Sequence, residues 1–162
     1  MITEFLIAKA AKGYFDKLKL TAFVKTSGKT GIHIFIPCKG FTYPQARTLA
    51  EHICKEIHLL VPDITTIEVS VDHRGDKLFV DFSQNDEADT LASVYSVRPY
   101  EEPTVSTPVD WKELTDDLTA EQFTIDRILD RLKVKGDLFK EAFNEKIQSS
   151  NSKILSKMMT NS

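Results

Sequence analysis

The stretch Lys77-Leu78-Phe79-Val80-Asp81-Phe82-Ser83-Gln84-Asn85 determines how the rest of this chain is interpreted. Bulky β-forming residues followed by polar ones predict a strand. Alternation places Val80 and Phe82 on one face and Asp81 on the other. Aspartate is depleted in such strands, and a desolvated carboxylate is costly unless it is paired or binds a metal. Asp81 is therefore either bonded to a Lys or Arg of a neighbouring strand, or a metal-binding or catalytic carboxylate.

The length and composition are those of one ordinary globular domain. The chain has 162 residues, of which 41% are hydrophobic and 28% charged, which is enough to bury a real core. No apolar run approaches the roughly 20 residues of a membrane span, and no signal-peptide pattern opens the sequence. Cys38 and Cys54 are too few for a disulfide framework, and no Cys/His spacing indicates zinc. We expect a cytoplasmic protein that contacts no membrane.

The net charge of −3 is unevenly distributed along the sequence. Residues 81–120 contain 10 acidic and 2 basic residues, whereas the segments before and after are slightly basic. No segment carries the basic patch that is typical of a nucleic-acid-binding surface. Any contact with DNA or RNA should therefore be local or depend on a partner.

Periodic patterns predict an α+β fold. Apolar residues at helical spacing indicate helices over residues 2–18, 43–60 and 124–134. Strands are expected over residues 21–25, 31–36, 66–72, 78–82 and 94–98, and a loop over residues 99–122. We expect a mainly antiparallel sheet backed by the first two helices. Residues 1–145 should form the domain, and residues 146–162 a flexible polar tail.

The loop Ser27-Gly28-Lys29-Thr30-Gly31 has the composition of a phosphate-binding loop, with two glycines, two hydroxyls and a lysine. It lacks the Gly-x-x-x-x-Gly-Lys-Ser/Thr motif, so a plain hairpin loop is the alternative. His33 is either a hydrogen-bonded structural histidine or a ligand. Arg98, before a proline, is either functional or paired with a carboxylate of the acidic section. Lys25 and Lys77 are interpreted as solvated.

The order and spacing of four motifs resemble one family. The motifs are Lys25-Thr26-Ser27-Gly28-x-x-Gly31-Ile32-His33, Phe79-Val80-Asp81-Phe82-x-Gln84-Asn85, Tyr95-Ser96-Val97-Arg98-Pro99 and Val105-Ser106-Thr107-Pro108-x-x-Trp111. Together they resemble the polymerase domain of bacterial DNA ligase D, a branch of the archaeo-eukaryotic primase-polymerases that serves non-homologous end joining. The resemblance covers about residues 2–142.

This resemblance implies a site for metal-dependent nucleotidyl transfer. In the family, two divalent ions (Mg or Mn) are held by three aspartates and stabilise the attacking and leaving oxygens. Asp81 matches the third aspartate, which would make it a metal-binding and catalytic residue. The positions matching the triphosphate-binding segment are Ser27, Gly28, Lys29, Thr30 and His33, and those near the triphosphate are Gln84 and Arg98. The implied partners are NTP or dNTP and DNA ends.

The sequence also departs from the family pattern. The family's Asp-x-Asp metal motif precedes the first helix, but no Asp-x-Asp occurs before Ser27. Thr30 stands where the family often has lysine, and Asp86-Glu87-Ala88-Asp89 replaces an Arg-Gly pair. We therefore expect the C-terminal half of such a domain, inactive alone. It is either a fragment or one half of a split enzyme, or a non-catalytic remnant that binds nucleotide, DNA or protein.

Apolar residues off the main stripe of helix 2–18 predict that this helix is covered on two sides. They are Ile2, Phe5, Leu6 and Phe15. Because an absent N-terminal half would leave part of that surface bare, and monomers rarely expose large apolar patches, we expect a homodimer or a partner that supplies the missing half.

Overall fold

The structure, a computed structural model, describes residues 2–160. Within them the α-helices are α1 (Ile2–Leu18), α2 (Tyr43–Leu60), α3 (Ile125–Lys135) and α4 (Glu145–Thr160). The strands are β1 (Phe23–Thr26), β2 (Ile32–Phe35), β3 (Thr65–Thr66), β4 (Leu78–Phe79), β5 (Val97–Arg98), β6 (Thr104–Val105) and β7 (Pro108–Val109). Short 3-10 helices span Val71–His73, Trp111–Glu113, Ala120–Gln122 and Lys140–Phe143.

The central sheet has three antiparallel strands in the order β2-β1-β7. On it, Lys25 of β1 lies opposite His33 of β2 and, on its other side, opposite Pro108 of β7. Strands β5 and β6 form a separate antiparallel pair, whereas β3 and β4 pair in parallel. The predicted α+β fold with a mainly antiparallel sheet is confirmed.

Helix α1 lies between two hydrophobic clusters of its own chain. On one side Ala11 and Phe15 pack with Ile53 of α2, as the stripe predicted for helix 43–60 requires. On the other side Phe5 packs with Leu114 and its neighbours. Phe5 and Phe15 are 0% and 1% exposed. The bare apolar face expected on helix 2–18 is therefore not found at these positions. Leu6 is half-exposed, and the side chain of Ile2 lies outside the described part.

The predicted flexible tail is wrong for residues 146–160, which belong to helix α4. Asn151 is 0% exposed: its side chain accepts a hydrogen bond from Thr21 N (3.0 Å) and donates to Thr21 O and Pro37 O (2.8 Å each). Leu155 is buried in the α1–α2 cluster. The polar composition of this segment therefore did not indicate a packed helix. Its buried Asn151 side chain satisfies main-chain groups next to β1 and β2 that would otherwise need water as a hydrogen-bond partner. Asn161 and Ser162 lie outside the described residues.

In the middle of the chain, two predicted strands are shorter than expected, and a predicted loop contains two strands. Residues 66–72 contain only the end of β3 and a 3-10 turn, and the strand expected over 94–98 begins at Val97, after Tyr95 with φ 62°. The expected loop 99–122 contains β6 and β7, with Val105 and Val109 buried. Among the helices of residues 2–160, none is long and apolar enough to cross a membrane.

Candidate functional site

The Ser27–Gly31 loop joins the antiparallel strands β1 and β2 and is closed by Ser27. The main-chain N of Ser27 donates to Gly31 O (2.8 Å), and the Ser27 hydroxyl accepts from Lys29 N (3.2 Å) and Gly31 N (3.0 Å). The side chains of Lys29 and Thr30 are exposed, with the Lys29 ammonium 5.5 Å from the centre of the Tyr100 ring. The loop is therefore pre-shaped by its own serine, and its lysine is free to meet a ligand.

Gly28 brings this loop against the β5–β6 pair. Its φ of +83° lies in the region that favours glycine, and a Cβ there would overlap the Cγ of Arg98 and lie 3.3 Å from Thr104 Oγ1. The Thr104 hydroxyl also donates a hydrogen bond to the Gly28 carbonyl. Arg98, 70 residues later in the sequence, is thereby packed onto the loop. Sequence reasoning missed Thr104, although it borders the Val105-Ser106-Thr107 motif.

Arg98 has no acidic partner among residues 2–160. Its Nε is buried and has no hydrogen bond, and its guanidinium forms no ion pair with residues 2–160. The alternative in which Arg98 pairs with a carboxylate of the acidic section is therefore not found. A guanidinium offers planar donors that fit carboxylate or phosphate oxygens, so Arg98 is available to an anion from outside.

Lys25 is fully buried, which overturns its interpretation as a solvated lysine. Its Nζ donates to the Ser106 hydroxyl (2.5 Å), lies 3.5 Å from Thr26 O and sits 5.9 Å from the centre of the Phe35 ring. Burial, and then the charge of Arg98, lower the pKa of Lys25 to about 8. The ammonium is thus charged at neutral pH but neutralised by no carboxylate within residues 2–160.

His33 lies directly across the ladder from Lys25. Its Nδ1 is buried and has no hydrogen-bond partner within residues 2–160, so it is not the hydrogen-bonded structural histidine that was one alternative. Burial first, then Lys25 and Arg98, lower the pKa of His33 to about 4, while Asp81 opposes them. His33 is therefore neutral at pH 7, and it lies within the electrostatic influence of two cations and of Asp81.

Asp81 lies just beyond β4 and is exposed, whereas the next residue, Phe82, is buried. Strand β4 ends at Phe79, so the strand expected over residues 78–82 is shorter than predicted, and Asp81 is not the desolvated carboxylate that both of its interpretations assumed. Its Oδ1 accepts from Ser83 N (2.8 Å) and from the Ser83 hydroxyl (2.5 Å), and it forms no ion pair with a Lys or Arg of residues 2–160. An exposed carboxylate keeps its lone pairs accessible to a cation.

The residues after Asp81 form no hydrogen bond or ion pair with Lys25, His33 or Arg98 within residues 2–160. Gln84 is exposed and its side chain makes no hydrogen bond within residues 2–160, so the structure does not join it to Arg98. Asp86 forms an ion pair with Arg47 of α2 (2.7 Å). The acidic turn that departs from the family pattern is thus fixed to α2.

The residues of a two-metal centre are not assembled within the described part of the chain. No group of three or more His, Cys, Asp or Glu side chains that could hold a metal ion occurs in residues 2–160. Magnesium binds oxygen ligands in a near-octahedral shell. Asp81 alone does not fit the ligand set implied by the resemblance, and we derive no catalytic step from a metal here.

Strands β1, β2 and β5 therefore bring together the Ser27–Gly31 loop, His33, Arg98 and the unpredicted Lys25, while Asp81 lies at the edge, just beyond β4. One feature of the sequence could have indicated Lys25. If β1 and β2 pair as neighbours, alternation places Lys25 on the same face of the sheet as His33. Its partner Ser106, 81 residues away in the sequence, offered none. The arrangement can hold an anion at Arg98 and the loop, close to the buried charge of Lys25.

Comparison with known proteins identifies a family that this chain matches. Residues 5–139 match the family described as LigD, primase-polymerase domain. The bifunctional non-homologous end joining protein LigD of Bacillus subtilis (strain 168) is 34% identical in a 139-residue alignment that covers 82% of this chain and 23% of that protein. The multifunctional non-homologous end joining protein LigD of Mycolicibacterium smegmatis is 32% identical over 82% of this chain and 17% of that protein.

A solved structure shows that the likeness extends to the fold. The polymerase domain from Mycobacterium tuberculosis Ligase D in complex with DNA superposes with a TM-score of 0.80 at 30% identity, covering 88% of this chain and 50% of that one. The chain thus spans half of the solved domain and less than a quarter of the curated relatives. Sequence motifs, fold and family match agree, and the chain belongs to the LigD primase-polymerase domain family.

Proposed function

We propose that this chain supplies the nucleotide-binding part of a polymerase domain of DNA repair by non-homologous end joining. The phosphate chain of an NTP or dNTP lies against Arg98, His33 and the Ser27–Gly31 loop, with Gln84 at its margin. The observation that carries the proposal is the burial of Lys25 and of Arg98 Nε without a carboxylate partner in residues 2–160.

Physical cost is the reason to expect an anion there. A buried charge is expensive unless it is paired, and Arg98 and Lys25 are close enough for the charge of Arg98 to depress the pKa of Lys25. Phosphate oxygens would neutralise both and accept the planar donors of Arg98. The loop contributes the exposed Lys29 and Thr30 side chains.

Nucleotidyl transfer requires more than these residues. Polymerase domains of the family are metal-dependent, and in our proposal Asp81 is one ligand of Mg or Mn while further carboxylates come from another chain segment or a partner chain. Without them, the 162 residues bind nucleotide and do not transfer it. The absence of a three-residue metal group in residues 2–160 favours this second function, a non-catalytic binding module.

DNA ends are the second proposed ligand, and we propose a cytoplasmic site of action. A solved relative is in complex with DNA. The acidic turn fixed by Asp86 and Arg47 lacks the positive charge that attracts a phosphate backbone. We therefore place any DNA contact away from that turn.

Calorimetric titration with ATP and GTP tests the nucleotide proposal. We expect binding by the wild-type chain and a loss of about 1.5–3 kcal/mol in Arg98→Ala, because a charge-assisted hydrogen bond disappears. Arg127→Ala, an exposed arginine on α3, is the matched control and should bind like the wild type. No heat at millimolar nucleotide, or equal binding by Arg98→Ala, would contradict the proposal.

A further inference from the structure

Lys25 occupies a position where a lysine is unexpected. It sits in the middle strand of the three-stranded sheet, is 0% exposed, and lies between β2 and β7. Replacing buried ionic groups with apolar ones of similar volume is often neutral or stabilising. Packing alone would therefore be served as well by an apolar side chain, and the ammonium calls for a role of its own.

The contacts of Lys25 orient its charge without neutralising it. The Ser106 hydroxyl donates to Thr26 O (2.7 Å) and accepts from the Lys25 ammonium. Both groups that receive its protons, the hydroxyl and the carbonyl oxygen of Thr26, are uncharged. The positive charge is thus fixed in place and still available to an anion.

We propose that Lys25 is a further residue of the anion site: its buried ammonium, held by Ser106 behind His33 and Arg98, supplies positive charge to the phosphates bound in front of it. The inference rests on the proposed phosphate binding. Lys25 acts through the field of its charge rather than by direct contact, since its side chain is closed to solvent. Such a field is strong because the surroundings are less polarisable than water.

The groups that face Lys25 make its proton sensitive to the ligand. They are His33 and the Phe35 ring on β2, Pro108 and the Ser106 hydroxyl on the other side, and Arg98 on β5. Burial and Arg98 hold the pKa of Lys25 at about 8 in the free protein. A bound phosphate opposes both effects and raises that pKa. Binding above pH 8 should therefore take up a proton.

Calorimetry with ATP on the full chain tests this proposal, using Lys25→Met and Lys25→Gln with the exposed Lys9→Met as the matched control. We expect both Lys25 variants to bind ATP roughly tenfold more weakly, and Lys9→Met to bind like the wild type. Titrations at pH 8.5 in two buffers of different ionisation heat should show proton uptake by the wild type and none by the Lys25 variants. Thermal unfolding verifies that the variants are folded.

Two results would overturn parts of the account separately. If the wild type binds ATP and the folded Lys25 variants bind it equally tightly with the same proton uptake, Lys25 has no role in the site while the proposed function stands. If the wild type itself binds no ATP, the proposed function falls and this inference falls with it.

Discussion

The Lys25–Arg98 cluster and the segment 81–89 are built in opposite ways. The cluster joins the buried Lys25 to the half-buried His33 and Arg98, carries positive charge and is assembled from β1, β2 and β5, with contacts that span up to 81 residues of sequence. The segment is exposed apart from Phe82 and Ser83, carries four acidic residues and bonds mainly to itself, apart from the pair of Asp86 with Arg47. The difference supports our proposals that phosphate binds at the cluster and that Asp81 is a single ligand at the edge of a metal site.

The largest expected effect concerns catalysis, because we expect primer extension to be absent rather than reduced. The 162 residues should not extend a primer, because residues 2–160 contain no group of three or more His, Cys, Asp or Glu side chains that could hold a metal ion. A gap-filling assay with manganese and ribonucleotides measures this. Template-dependent extension that Asp81→Asn abolishes would contradict the prediction, and would show that the exposed segment completes a catalytic site after all.

The next largest effect should come from the helix that supports the cluster. Asn151→Ala removes three hydrogen bonds that tie α4 to residues flanking β1 and β2, the strands of Lys25 and His33. We expect the free energy of unfolding to fall by about 2–4 kcal/mol, because buried main-chain groups lose their partners. Urea unfolding measures this, with the exposed Ser150→Ala of the same helix as control. An unchanged stability would show that α4 is not needed to hold the strands.

A smaller effect of opposite sign is expected at Lys25. Lys25→Met should raise the stability of the free protein at pH 7 by about 1–3 kcal/mol, because an unneutralised buried charge disappears. The pKa of Lys25 in the folded state, about 8, lies below the ordinary 10.5, so the unfolded chain binds this proton more tightly. Wild-type stability should then rise as the pH increases from 8 to 10.5, and the gap to Lys25→Met should narrow.

Denaturant unfolding of both proteins across that pH range checks the prediction. A gap that stays constant from pH 7 to 10.5 would show that Lys25 does not titrate in that range. A Lys25→Met protein that is less stable than the wild type at pH 7 would show that the ammonium stabilises the fold rather than straining it.

The smallest effect is expected in the exposed segment. Asp81→Asn should change the free energy of unfolding by less than about 0.5 kcal/mol, because the side chain is exposed and an amide oxygen can still accept from Ser83. Chemical denaturation measures it. A loss above about 1 kcal/mol would mean that Asp81 is part of the same electrostatic unit as His33 and Arg98.

Local patterns predicted the parts of the fold that local physics decides. Helix α2 follows the predicted 43–60 because its apolar stripe and the capping box of Thr42 and Gln45 are contained in its own sequence. Strand β2 and helix α1 are likewise close to prediction. Helix α4 was missed because Asn151 and Ser152 look like tail residues until their distant main-chain partners are known.

Some residues of the candidate site could likewise be predicted from the sequence, and others could not. Motif order pointed to the loop, His33, Asp81 and Arg98. The structure brings the loop, His33 and Arg98 together around Gly28 and β1. It does not tie Gln84 to them. Lys25 escaped detection because lysine is ordinarily solvated, and only the tertiary placement of Ser106 and Arg98 makes its charge meaningful.

The most direct test of phosphate binding by the Lys25–Arg98 cluster is an NMR titration of the isotope-labelled chain with ATP, in which the chemical shifts of the backbone amides are followed. Our account predicts that the largest shifts fall on residues 27–33 and Arg98, with little change in residues 86–89 or in α4. Shifts centred on the acidic segment or on the α4 surface, or no shifts at millimolar ATP, would contradict it.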